Sequence, residues 1–260
     1  MEGLTFEHPK IEAVVTTKGD GTLTYEARNN VPPSWKEVFN DSLRQIIDVE
    51  RIIKRKFPDV PFTPTAENVF NAFFETRLPD VKVVIVGMDP YHGLIKSGEL
   101  TGEFQAQGMS FSINAKDPNI PSSLKNIYKE IKNEYPEFVI PNHGCLIPWA
   151  RQGVLLLNKS LTTVPSVFPG GGPDAHGRIW DGFIEEVVNA IAETNNRCVY
   201  VLWGRNAQSI VPFLPGTATI LTSAHPSGLS ANRGFFGNNH FKLINEHLEA
   251  AGKTPINWQL

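Results

Sequence analysis

Cysteine is nearly absent from this chain, with only Cys145 and Cys198 in 260 residues. Two cysteines so far apart make neither a disulfide framework nor a zinc site, which favours a reducing, intracellular setting, either nucleus or cytoplasm and nucleoid. Long apolar runs are missing too. No stretch approaches the roughly 20 residues of a membrane span, and the opening Met1-Glu2-Gly3-Leu4 lacks the basic and apolar regions of a secretory signal, so no membrane partner is expected. Positive charge is not in excess: 24 Lys and Arg stand against 27 Asp and Glu, a net charge of −3. A protein that grips nucleic acid through a broad basic surface is more basic than this. If phosphates are bound, local charges, main-chain N–H groups or helix ends must hold them. There is no internal repeat, no low-complexity tract and no P-loop. The run Gly170-Gly171-Gly172 follows no strand and lacks the lysine and hydroxyl of a phosphate loop, so it reads as a loop. No cysteine cluster or paired histidine suggests a metal, and neither metal nor cofactor is expected.

What is present is an alternation of apolar strands and amphipathic helices. Val81–Val86, Val154–Asn158, Cys198–Trp203 and Ala218–Thr222 read as buried strands. Helices are expected from Ser34-Trp35-Lys36-Glu37, which has capping-box spacing, through Val38, Leu43, Ile46, Ile47 and Ile53. Others are expected over Ala66 to about Glu75, after Ser123 as a cap through Leu124, Ile127, Tyr128 and Ile131, and over Ile179–Ala192. The pattern predicts an α/β fold, a three-layer αβα arrangement around a central four-stranded parallel sheet. Residues 1–30 are set apart as an N-terminal extension. In it Ile11–Thr17 and Thr22–Ala27 flank Lys18-Gly19-Asp20-Gly21, which has the look of a hairpin turn. Residues 31–260 are expected to form a single domain.

The strand ends carry the chemistry. Val83-Val84-Ile85-Val86-Gly87-Met88-Asp89-Pro90-Tyr91-His92 passes from a β-branched strand to an acid, a phenol and an imidazole. Asn158 ends the second strand, Gly204-Arg205 follow the third, and His225 follows the fourth. Open α/β sheets bind ligands at the carboxyl ends of their strands. An aspartate and a histidine facing a pocket can act as base or cation stabiliser and as hydrogen-bond donor. An asparagine can read a flat imide edge, because it offers both donor and acceptor. Tyr91 and Phe111 can wall off or stack on a planar base. Taken singly, each has a plainer role: Asp89 before Pro90 as a turn former, His225 as a satisfied structural histidine, Phe111 and Leu229 as packing residues. Four polar strand ends on one sheet edge form a constellation that chance rarely gives, and the joint pattern favours the functional reading for Asp89, Asn158, Tyr91, Phe111 and His225.

Gly87-Met88-Asp89-Pro90-Tyr91-His92 resembles the water-activating motif of the family 1 uracil-DNA glycosylases. Leu155-Leu156-Leu157-Asn158 with Leu161-Thr162 resembles that family's uracil-reading strand, and His225-Pro226-Ser227-Gly228-Leu229-Ser230 with Arg233-Gly234-Phe235-Phe236-Gly237 resembles its minor-groove loop. Trp149-Ala150-Arg151-Gln152-Gly153 and Lys253-Thr254-Pro255-Ile256-Asn257-Trp258 extend the match from about Trp35 to the C-terminus. The resemblance implies base-flipping hydrolysis of deoxyuridine in single- or double-stranded DNA, leaving an abasic site. In that reading Asp89 and His225 are catalytic, and Met88, Tyr91, Phe111 and Asn158 bind uracil. His92, Pro121, Ser122, Ser123, Gly204, Arg205, Ser227, Leu229, Ser230 and Arg233 meet the DNA, with Leu229 as the wedge that fills the vacated space. It also implies a monomer, with a proteinaceous glycosylase inhibitor or replication proteins as partners. Three residues depart from the family's pattern: Met88 stands for glutamine, Arg205 for serine and Gly228 for proline. The stretch from Gly93 to Ala106 is longer than the family's by on the order of nine residues, a surface-loop site. The competing expectation is a DNA-binding scaffold subunit of a replication complex, which would have no need of Asp89, Asn158 and His225.

Overall fold

The computed structural model describes residues 21–260. Four strands, β1 (Val83–Gly87), β2 (Val154–Asn158), β3 (Val199–Trp203) and β4 (Thr219–Ser223), form one sheet in the order β2-β1-β3-β4. Every pairing is parallel, and β1 aligns Gly87 with Asn158 on one side and Val83 with Val199 on the other. All five positions of β1, β2 and β3 are buried, as β-branched and leucine-rich strands must be when both faces are covered. β4 is one of the two edge strands, and its threonines and serine remain partly exposed.

The covering helices are α1 (Leu23–Asn29), α2 (Lys36–Lys56), α3 (Asn71–Glu75), α4 (Ser122–Glu134), α5 (Ile147–Ala150), α6 (Asp181–Thr194), α7 (Arg205–Gln208) and α8 (His240–Ala250). α2 and α6 close one side with interlocking rings: Phe39 meets Phe70, Phe73 and Phe183 edge to face at 4.9–5.5 Å. On the other side Trp203 of β3 packs on Phe235 at 5.2 Å and on Phe241 of α8 at 5.9 Å. Such ring pairs add to the area they bury. From β1 the chain moves out to β2 and then returns to β3 on β1's other flank. The carboxyl ends of β1 and β3 therefore border the switch point at which open α/β sheets hold ligands.

The expected three-layer arrangement is thus observed, with local corrections. The expected second strand of the hairpin, Thr22–Ala27, is instead helix α1. The Thr22 hydroxyl caps it by accepting the Tyr25 N–H at 3.1 Å, and Leu23 and Ala27, one helical turn apart, are buried. The expected first strand, Ile11–Thr17, lies outside the described residues. Ser34 caps no helix, because Pro33–Trp35 forms a 3-10 turn and the Ser34 hydroxyl accepts the Leu78 N–H instead. Ser123 is not a cap either, since α4 begins one residue earlier behind Pro121. The expected helix over Ala66–Glu75 is broken into a 3-10 turn, Ala66–Asn68, and α3. The Ala72 N–H goes to the Gly108 carbonyl, a tertiary partner that pattern reading cannot see.

Candidate active site

The turn after β1 is locked to the turn after β2. The Lys159 N–H donates to the Gly87 carbonyl and the Ser160 N–H to the Met88 carbonyl, both at 2.9 Å. This close approach needs a glycine at position 87, where a Cβ would stand 2.3 Å from Asn158 Oδ1 and 2.9 Å from the Ser110 Cβ. The Asn158 amide therefore lies directly over the end of β1. It is 5% exposed and has no hydrogen-bond partner among the described residues. Its polar atoms still reach solvent, so its donors and acceptor are free to meet a ligand.

Asp89 follows. Its Oδ2 accepts the Asp174 main-chain N–H at 2.6 Å. Burial pushes the carboxyl up to about 6; the Asp174 N–H opposes the shift, and the Asp174 carboxylate adds to it. Tyr91 donates its hydroxyl to the Phe111 carbonyl at 3.4 Å, and burial raises the phenol so that it stays protonated. The Met88 sulfur is met by the Asn206 side-chain amide. His92 accepts the Ser166 N–H on its carbonyl, and its buried Nδ1 has no partner among the described residues.

Phe111 sits on the segment that crosses the sheet edge. Ser110 anchors that segment by its N–H to the Leu156 carbonyl at 3.0 Å and by its hydroxyl to the Ile85 carbonyl at 3.1 Å. Phe111 itself has φ +62°, a left-handed backbone that bulky residues rarely adopt. Its ring stands 5.6 Å from Trp203 and 5.8 Å from His225. Strain held in place by surrounding contacts is a mark of functional sites.

His225 comes from the loop after β4. Its Nδ1 accepts the Ser227 N–H at 3.0 Å, so the neutral ring carries its proton on Nε2. Burial lowers its pKa, which keeps the ring neutral at physiological pH. Gly204 lets the chain pass close behind it. There φ is +86°, and a Cβ would meet the His225 Cβ at 2.9 Å. The carboxyl ends of the strands thus present a carboxylate, a neutral N–H donor, an amide free of described partners and two aromatic rings. That set can orient water, steady a cation and take up negative charge on a planar leaving group.

Around the pocket lie the residues expected to meet DNA. Leu229 is 87% exposed at the tip of its loop, and Arg205 and Arg233 are exposed. The Ser227 and Ser230 hydroxyls bond each other at 2.8 Å, and Ser230 also donates to the His225 carbonyl. Pro121, Ser122 and Ser123 form the start of α4, whose first N–H groups have no helical acceptors. Among the described residues no cluster of His, Cys, Asp and Glu is arranged to hold a metal. The stretch from Gly93 to Ala106 is a folded flap, with the Ile95 N–H on the Glu103 carbonyl and Ile95 buried.

Sequence reasoning missed Asp174. The segment from Gly170 to His176 does act as a loop, yet it also delivers the main-chain N–H that orients Asp89. No local signal announces a contact between residues 85 apart. His176 is buried with its Nδ1 on the Thr162 hydroxyl at 2.8 Å.

Comparison with known proteins identifies relatives. Residues 74–249 match the model of the Uracil DNA glycosylase superfamily. A uracil-DNA glycosylase of Photorhabdus laumondii is 41% identical over 234 residues, covering 88% of this chain and 97% of that protein. One from Escherichia coli is 40% identical over 232 residues, covering 86% and 94%. Among solved structures, the crystal structure of mimivirus uracil-DNA glycosylase superposes with a TM-score of 0.78 at 29% identity, over 88% of this chain and 87% of that one. A variant of the same mimivirus protein has been solved in complex with UGI.

Proposed function

The chain belongs to the uracil-DNA glycosylases, enzymes that excise uracil from DNA, and its motifs are those of family 1; from that premise we propose how this pocket does the work. The observation that carries the proposal is the Asn158 amide, which lies against Gly87 and makes no hydrogen bond to another described residue.

Uracil is unreachable while stacked in a duplex, so the nucleotide turns out of the helix into the pocket at a cost of a few kcal/mol. The base stacks on Phe111. Asn158 reads its imide edge, giving an N–H to one carbonyl and accepting the ring N–H. Cytosine presents an amine where uracil has that carbonyl, and its N–H₂ would face the Asn158 donor. Tyr91 fills the space a thymine methyl would need.

The bond between the sugar C1′ and the uracil N1 then breaks heterolytically. The electron pair leaves with the base, and the His225 Nε2–H donates to the uracil oxygen on which the charge collects. Because the imidazole is neutral, it stabilises this anion by a hydrogen bond without giving up its proton. The sugar becomes an oxocarbenium-like cation. The Asp89 carboxylate faces that cation and orients a water for attack at C1′, and it accepts the proton released as the new C–O bond forms. A carboxyl raised to about 6 is still mostly ionised at neutral pH, yet basic enough to take that proton. His92, whose buried Nδ1 has no partner among the described residues, stands three residues further along the same turn.

The DNA is held by Pro121, Ser122, Ser123, Gly204, Arg205, Ser227, Ser230 and Arg233, with Leu229 entering the minor groove. Short neutral loops and helix ends suit a protein whose net charge is −3. The enzyme acts inside the cell as a monomer without metal or cofactor, and the same DNA-facing surface suits a protein inhibitor of the kind bound in the mimivirus complex. The direct test is release of free uracil from a uracil-containing oligonucleotide in buffer with a chelator. If the pure protein releases none, the reading fails and the scaffold alternative takes its place.

A further inference from the structure

α4 does more than begin at the candidate phosphate contact Ser122-Ser123. Asn126, Lys129, Glu130 and Glu134 recur at three- and four-residue spacing and so share one face of the helix. All four reach into the segment that carries His225 and Leu229 or into the start of α8 beyond it. The Asn126 side-chain N–H donates to the Pro226 carbonyl at 2.8 Å, before the loop tip. The Gly237 N–H donates to Glu130 Oε1 at 2.8 Å, at the far end of the segment. Between them the Lys129 ammonium lies 4.6 Å over the Phe236 ring. Glu134 accepts the Lys242 N–H at 2.8 Å, in the first turn of α8. The opposite side of α4 is fixed by Leu124, Ile127, Tyr128 and Ile131, all buried.

Resting on the reading of Leu229 as a wedge, we infer that α4 is the strut that holds the wedge loop against the strain of opening a duplex, with Asn126 and Glu130 as its positioning residues. An apolar side chain keeps a base out of the stack only if the loop behind it does not yield. Bonds within the loop, such as the Ser230 N–H to the Ser227 carbonyl at 3.0 Å, set its shape but do not tie it to the body of the protein. Gly228 in its middle loosens it further, since nothing lies within 4 Å of where its Cβ would be. Pro226 has no N–H, so its carbonyl is its one main-chain hydrogen-bonding group, and Asn126 takes it. Glu130 is fully buried, and a carboxylate accepting a main-chain N–H there makes a strong, charge-assisted tie.

The test compares uracil release from a U:A duplex with release from the same strand alone, where no partner base resists extrusion. Asn126→Ala should lower kcat/KM on the duplex about tenfold, the worth of one well-formed hydrogen bond. Its effect on the single strand should stay below about twofold. Asn126→Asp keeps the shape without the donor and should behave like Asn126→Ala. In the Leu229→Ala background, Asn126→Ala should cost nothing more, because a strut without a wedge has no load. Equal losses on both substrates, an additive double mutant, or full duplex activity in Asn126→Asp would each overturn the inference. Wild-type protein that releases no uracil would instead overturn the function itself, and a Leu229→Ala variant as active as wild type on duplex would overturn the wedge.

Discussion

Asp89 accepts a 2.6 Å hydrogen bond from the main-chain N–H of Asp174, and it also lies within the field of the Asp174 carboxylate. The N–H fixes the direction of the carboxyl group, while the neighbouring charge helps keep its pKa near 6. One residue thus both orients the acid and tunes it. Asp174 can do so because its φ of +59° turns its N–H inward while its side chain remains exposed.

The first prediction concerns the pH profile. Asp89 must be ionised to act, so the acid limb of kcat should fall near pH 6, with activity rising as pH rises through it. Asp174→Asn keeps the main-chain N–H and tolerates a left-handed backbone, but it removes the negative charge. The limb should move to lower pH in single-turnover uracil release. A limb that stays in place would show that the Asp174 charge does not reach Asp89.

Stability should run the other way. The folded-state pKa of Asp89 is raised from 3.8 to about 6, so protonation is favoured more in the folded than in the unfolded protein. Its contribution to stability is present below about pH 4 and is lost as pH rises through about 6. Asp89→Asn escapes this loss and can still accept the Asp174 N–H. Its thermal midpoint should exceed wild type at pH 8 by a few degrees, on the order of 1–2 kcal/mol after allowance for partial exposure. The gap should narrow as pH falls through about 6 and close only below about pH 4. A variant less stable than wild type at pH 8 would contradict the account.

These features were unevenly legible in the sequence. β2 could be read to the residue, because Val154–Asn158 is a short apolar run ending in a polar side chain. Val81 looked like part of β1 but is a buried residue after a 3-10 turn, so its apolar character reflects packing rather than strand pairing. Thr22–Ala27 alternates polar and apolar residues as a strand would, yet burial of Leu23 and Ala27 together favours a helix. The strand-end residues Asp89, Asn158 and His225 were visible because each follows a strong strand signal. Asp174 and Asn126 were not, since their partners lie 85 and 100 residues away and nothing local marks main-chain acceptors or donors in use.

Gly204 should be intolerant of even one methyl group. Gly204→Ala places a Cβ 2.9 Å from the His225 Cβ and forces a non-glycine residue to φ +86°. Displacing the His225 donor should cost about 10–100-fold in kcat, with a smaller change in KM. A kcat within twofold of wild type would mean that His225 is not held by this contact.

Tyr91→Ala should open the pocket towards thymine. The phenol is fixed by its bond to the Phe111 carbonyl, and its removal makes room for the extra methyl. Release of thymine from T-containing DNA by the variant, absent in wild type, is the expected outcome. Undiminished exclusion of thymine would remove Tyr91 from the specificity argument.

Arg205 heads α7 and is exposed, in reach of solvent or of a phosphate. If it binds phosphate, Arg205→Ala should reduce the slope of log affinity against log salt by about one unit. An unchanged slope would return Arg205 to solvent.

The most direct test of the central claim is single-turnover uracil release by Asp89→Asn, measured beside its affinity for uracil-containing DNA. The account predicts affinity within a few-fold of wild type and release slowed by at least about 100-fold, because the variant keeps the fold and the Asp174 hydrogen bond but loses the charge that faces the sugar cation. Release at the wild-type rate would contradict it.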